Sequence, residues 1–202
     1  MSNSTWWASE SFWQKIAIWV TAFMLVVLIL LTFDTVKQIT AGSKKVPAYS
    51  VINNRVYYKF DQKEEHYMPI IGAEAPLFGK LLTEQEAEDL VDLGKMTIQA
   101  KNCMSCHTLL GNGAYYAPDL TKAWLDQGWA AESVREDLMI QFLMNPDKNP
   151  RGYGSTRKMP NLGITEKEAR GIVAFLKWMS TIDTNGFPNG FKSIPQEDDN
   201  AY

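Results

Sequence analysis

Lys101-Asn102-Cys103-Met104-Ser105-Cys106-His107 contains both cysteines of a 202-residue chain and one of its two histidines. Two thiols three positions apart, with an imidazole directly after the second, suit one chemistry above all. Each thiol adds across one vinyl group of a haem, and the histidine reaches the iron as proximal ligand. Cys-x-x-Cys also serves as a redox dithiol, a structural disulfide or half of a zinc site. A thioredoxin-like dithiol sits among alternating strands and helices, whereas the flanks here read as a helix and then a Gly-rich loop. A zinc site wants four ligands, and the remaining candidate, His66, lies far upstream in a charged stretch. The motif occurs once, so the expectation is a single covalent haem c on Cys103, Cys106 and His107.

Upstream of the motif, Thr83-Glu84-Gln85-Glu86 has the form of a capping box, and Ala87, Leu90, Val91, Gly94 and Ile98 repeat at helical spacing. Gly94 lies inside that apolar stripe, where glycine costs about 1 kcal/mol against alanine, so close approach of another helix is expected there. Downstream, Gly111 to Leu120 reads as a loop, a helix runs from about Glu132 to Met144, and Asn145-Pro146 stops it. A second capping box, Thr165-Glu166-Lys167-Glu168, opens a helix whose Ala169, Ile172, Val173 and Leu176 face a core. Gly171 on that helix is the expected partner for Gly94.

The second axial ligand decides between electron transfer and ligand chemistry. His66 and nine methionines are the candidates. Met1 is terminal, Met24 lies in an apolar run and Met104 is inside the motif, while Met96, Met139, Met144 and Met179 sit on helices, where core packing is their default role. Met68 is a reserve, and His66 reads as an ordinary solvated histidine. Met159, in a long loop and pinned by Pro160, is the expected ligand.

Residues 16–33 carry no charge and read as a membrane-spanning helix of about 27 Å. No Ala-x-Ala-like site comes after Phe33, which favours an anchor over a cleaved signal peptide. Residues 1–15 form a flank. Lys37, Lys44 and Lys45 after the span weakly favour an inside location for the C-terminal part, but haem attachment to such a motif takes place outside the cytoplasm, so a periplasmic haem domain is expected. Residues 34–80 form a connecting region in which Ala48–Ile52 and Arg55–Phe60 read as a β-hairpin turning at Asn53-Asn54. The haem domain is expected over 81–182, and a polar, mobile tail over 183–202. The fold class is mainly α. With 20 basic and 23 acidic residues and a net charge of −3, nucleic acid is not an expected partner.

The order of helix, CxxCH, Pro118-Asp119-Leu120, Lys158-Met159-Pro160 and an aromatic final helix resembles class I cytochromes c across about half the chain. Asn102 to Thr121, with Gly111-Asn112-Gly113-Ala114-Tyr115-Tyr116, resembles the haem-carrying small subunit of bacterial cytochrome c-dependent nitric oxide reductases. That resemblance implies an inner-membrane protein taking electrons from a periplasmic cytochrome c or copper protein. It would pass them to a large haem-copper-type subunit that reduces nitric oxide to nitrous oxide, with no catalytic residue here. It also implies a calcium ion between the two chains, reached by the Gly113 carbonyl and by Tyr115, with carboxylates from the large chain. A tethered free-standing cytochrome and the monohaem subunit of a haem-copper oxidase share the anchor and the motif.

Overall fold

The computed structural model describes residues 6–129, 132–149, 157–189 and 191. Its core is organised where α2 (Glu84–Ala100) crosses α4 (Glu166–Ser180), the most extensively packed pair of helices. Both helices open with the expected capping boxes. Thr83 accepts from the Glu86 amide while the Glu86 side chain accepts from the Thr83 amide, and Thr165 and Glu168 repeat the arrangement. Each box satisfies two of the amides left without partners at a helix start. Gly94 and Gly171 meet at the crossing: a Cβ on Gly94 would collide with the Gly171 carbonyl and lie 2.8 Å from the Cβ of Phe175. The close approach expected of the two glycines is present.

Helix α3 (Glu132–Met144) packs on α4 through Met139, Ile140 and Leu143, which are buried. Val134 and Leu138 of the same helix remain exposed, whereas Arg135 is buried, its guanidinium 5.0 Å over the Trp124 ring.

The β-hairpin lies later in the chain than the sequence suggested. Strands β1 (Asn54–Asp61) and β2 (His66–Glu74) pair antiparallel, with Tyr58 opposite Pro69 and Asp61 opposite His66. The turn is at 62–65, where the Asp61 carboxylate accepts from the amides of Lys63 (2.7 Å) and Glu64 (3.2 Å) and Glu65 takes φ +55°. Most of Ala48–Ile52, expected as a strand, lies instead in a 3-10 helix (Tyr49–Asn53), with Glu84 accepting from the amides of Tyr49 (2.7 Å) and Ser50 (2.9 Å). The region from Pro47 onward is built into the same core as the helices. Ile52, Val56, Tyr58 and Leu77 belong to it, Tyr49 stacks on Trp178 at 5.1 Å, and Trp178 Nε1 donates to the Pro47 carbonyl at 3.2 Å.

His66 is more engaged than a solvated histidine. Its side chain is 20% exposed, its Nδ1 donates to the Glu64 carbonyl at 2.9 Å, and its Nε2 lies 3.4 Å from Asp183 Oδ1. Most of the expected tail, residues 190 and 192–202, lies outside the described residues.

The N-terminal helix α1 (Glu10–Ile39) runs past the expected 16–33 at both ends, because Gln14 bonds Glu10 and Gln38 bonds Asp34 in helical i,i+4 pairs that continue the rod into polar sequence. At 1.5 Å per residue it is about 45 Å long, enough for the hydrocarbon and both headgroup layers. None of its residues is buried, and by length and composition it can cross a membrane.

Candidate functional site

Helix α2 ends at Ala100, and Asn102 takes a left-handed conformation (φ +54°) that turns the chain out of the helix. Asparagine tolerates this better than most residues. The chain then closes into a 3-10 turn over Cys103–Ser105, in which Cys106 N and His107 N both donate to the Cys103 carbonyl, at 3.1 and 3.0 Å. Both thiols and the imidazole are thereby carried on one turn. The thiols are half-buried and unlinked. Burial pushes the Cys103 thiol up from its ordinary pKa, with Cys106 adding to the shift and Lys101 opposing it.

His107 is oriented from the other side of the site. Its Nδ1 lies 2.7 Å from the Pro118 carbonyl, which only accepts, so Nδ1 donates there, and in the neutral imidazole this tautomer leaves the lone pair on Nε2. Pro118 is held by a small framework just downstream of the motif. Strands β3 (Thr108–Leu109) and β4 (Asn112–Gly113) form a short hairpin through Leu110 and Gly111, both at positive φ. Asp119 then accepts from Thr108 Oγ1 (2.6 Å) and from the Thr121 amide (2.8 Å), and Thr121 Oγ1 accepts from the Leu110 amide (2.7 Å). Ala117 N donates to the Cys106 carbonyl at 2.8 Å, which lays this loop against the motif. The Gly111–Leu120 loop thus contains a hairpin that its glycines alone did not announce. The sequence marks Asp119 only as part of Pro118-Asp119-Leu120, with no contact foreseen for it, although an Asp after Pro in a loop often accepts from a nearby backbone amide.

Gly113 is required by packing. Its φ is +119°, and a Cβ there would collide with the His107 carbonyl. Ala114 N donates to the carbonyls of both Met104 (3.1 Å) and His107 (3.2 Å). The Tyr115 ring is 78% exposed and its hydroxyl donates to the Gly111 carbonyl at 3.1 Å. Gly113 and Tyr115 therefore share one loop that reaches the motif through backbone bonds.

Met159 is half-buried against the core, in the irregular segment that leads into α4. Other methionines are otherwise employed: Met139 and Met179 are buried in the core, Met96 is 60% exposed, and Met68 is paired with Lys59 in the hairpin. The Met159 segment is tied to the motif at two points. Arg157 Nη1 donates to the Tyr116 carbonyl at 2.9 Å, with the guanidinium 5.0 Å over the Tyr116 ring, and Lys101 Nζ donates to the Gly163 carbonyl at 3.2 Å. Neither contact was anticipated from the sequence. The donor set suits a covalently held haem: two thiols, an imidazole with a free Nε2, and a half-buried thioether on a segment fastened to the same turn.

The cytochrome c family profile matches residues 91–180. Among curated proteins, the chain is 36% identical over 112 residues to the C subunit of nitric oxide reductase from Stutzerimonas stutzeri, covering 55% of this chain and 73% of the relative. The corresponding protein of Cereibacter sphaeroides is 34% identical over 100 residues, or 50% of this chain and 67% of that protein. That of Paracoccus denitrificans is 31% identical over 109 residues, or 54% and 71%.

Proposed function

The chain belongs to the family of nitric oxide reductase C subunits, and from that membership we propose that it is the electron-receiving partner in a nitric oxide reductase, anchored by α1 with its haem domain in the periplasm. The observation that carries the electron-transfer reading is the imidazole of His107, held by the Pro118 carbonyl with Nε2 bare on the turn that presents both thiols. Cys103 and Cys106 would hold the haem as thioethers, and His107 and Met159 would bind the two faces of its iron. Bound there, the haem supplies a one-electron couple, and thioether ligation favours the reduced state. The chain's own residues orient the imidazole, fasten the thioether segment and bury the attachment turn.

A catalytic subunit accompanies proteins of this family, and the donors proposed are a periplasmic cytochrome c or a copper protein. Toward a calcium ion shared with the catalytic partner, this chain would contribute only neutral oxygens, from the Gly113 carbonyl and Tyr115. Among the described residues no group of three His, Cys, Asp or Glu side chains is placed to hold a metal ion. As the family resemblance implies, the carboxylates would come from the larger partner.

Purification in mild detergent, with identification of the companion protein and its metals, tests the proposal. A companion holding haem together with a non-haem iron supports it. A copper-containing companion would indicate an oxidase component, and purification without any companion would indicate a tethered carrier; either result overturns the assignment.

A further inference from the structure

We propose that Arg157 is a positioning residue for the sixth iron ligand: with Lys101 it forms a two-point clasp that holds the Met159 thioether in reach of the iron. The inference rests on the reading of Met159 as ligand. A methionine on an irregular segment has no helix to hold it, and its thioether bond to iron is readily lost unless the segment is fastened on both sides.

The structure shows such fastenings at the two ends of 157–163. On the N-terminal side, two residues before Met159, Arg157 donates to the Tyr116 carbonyl and lies over the Tyr116 ring. Tyr116 is itself immobilised between Ala117, whose amide bonds Cys106, and the motif-bound Ala114. Pro118, two residues further, orients His107. One short loop thus sets the imidazole and, through Arg157, the thioether segment. On the C-terminal side, Gly163 takes φ +62°, accepts from Lys101 Nζ through its carbonyl, and bonds Asn161 Oδ1 through its amide at 2.9 Å. Lys101 lies two positions before Cys103 and also pairs with Glu168 at 3.5 Å. Arginine suits its end of the clasp, since a planar guanidinium can lie flat on the ring while donating from its edge.

The test uses the intact haem-loaded complex. Arg157→Gln is expected to retain the haem and its His107 ligation. It should lose the long-wavelength thioether–iron charge-transfer band at lower pH and lower temperature than the native protein. Its reduced form should bind carbon monoxide about tenfold more readily, as expected for losing one charge-assisted bond (about 1.4 kcal/mol per tenfold). Arg157→Lys should restore part of the effect. Met159→Ala should abolish the band outright. A Met159→Ala protein that keeps the band would remove the ligand reading and the clasp with it. If Met159→Ala loses the band but Arg157→Gln matches the native protein in band stability and carbon monoxide binding, the clasp alone is refuted.

Discussion

At the residue scale, several side chains have roles that their types alone do not reveal. Lys122 is 1% exposed, donates to the carbonyls of Ile182 (2.6 Å) and Ser180 (3.4 Å), and lies 5.3 Å over the Tyr58 ring. Burial depresses its pKa from 10.5 to about 8, with Asp183 opposing the shift. Because the unfolded chain holds this proton more tightly, the unfolded state carries more protons between about pH 8 and 10.5. Stability must therefore rise with pH across that window. Tyr49 and Tyr58 have pKa values raised above 10.0 by burial, act in the opposite sense and cap the rise near pH 10. Lys122→Met should flatten the rise in denaturant titrations and cost on the order of 1–2 kcal/mol at pH 7, since it strands two buried carbonyls. An unaltered pH profile would show that the ammonium is not desolvated. Tyr115 calls for a different measurement. Its exposed ring adds little to the core, so Tyr115→Phe should leave the haem spectrum intact while lowering the calcium content or the cohesion of the complex. Unchanged calcium and assembly would remove the side chain from that site.

At the element scale, the crossing of α2 and α4 is the joint on which the domain depends. Alanine is the better helix former by about 1 kcal/mol, so on an open surface Gly94→Ala would stabilise. Here the added methyl meets the Gly171 backbone, which cannot rotate away as a side chain can. The overpacking cost of about 1–3 kcal/mol should win, lowering the denaturation midpoint. A midpoint at or above that of the native protein would mean that the helices are not in contact at these glycines. The 3-10 helix Tyr49–Asn53 shows where local pattern misleads. Its aromatic and β-branched residues suit a strand, but Glu84, distant in sequence, supplies the acceptors for its first amides, and Asn53 exchanges hydrogen bonds with Leu82 at 2.8 and 3.0 Å. Local pattern cannot anticipate acceptors that arrive from another element.

At the scale of the whole molecule, α1 contributes no buried residue, whereas the hairpin region shares the core of the helices. Residues 34–202, produced without the apolar stretch of α1 in a host that attaches haem, should therefore fold and accept one electron per chain in a reductive titration. With His107 and Met159 holding the iron as proposed, that fragment should not consume nitric oxide. Sustained consumption would overturn the division of labour between this chain and its catalytic partner. The hairpin, by contrast, is not separable. Tyr58 meets Phe191 edge-on at 5.9 Å, Lys177 Nζ donates to the Ala75 carbonyl at 3.3 Å, and His66 reaches Asp183, so its deletion would open the C-terminal end of α4.

Much of the chemistry is legible without any fold, because it is written in contiguous residues. The spacing Cys103-x-x-Cys106-His107 specifies its own turn, Thr83-Glu86 and Thr165-Glu168 start their helices with donors and acceptors three residues apart, and the charge-free run over 16–33 needs only its length to be recognised. Gly94 and Gly171 announce their meeting because a glycine in a buried stripe has few other purposes. Only the tertiary structure decided what depends on partners distant in sequence. It placed Asp119 between Thr108 and Thr121 so that Pro118 orients His107, set Arg157 on Tyr116 and Lys101 on Gly163, and brought the half-buried His66 and the buried Lys122 against the segment after α4. The physical reason is range: caps and turns are satisfied within a few residues, whereas a hydrogen bond between residues far apart in the chain exists only once packing has brought its two ends together.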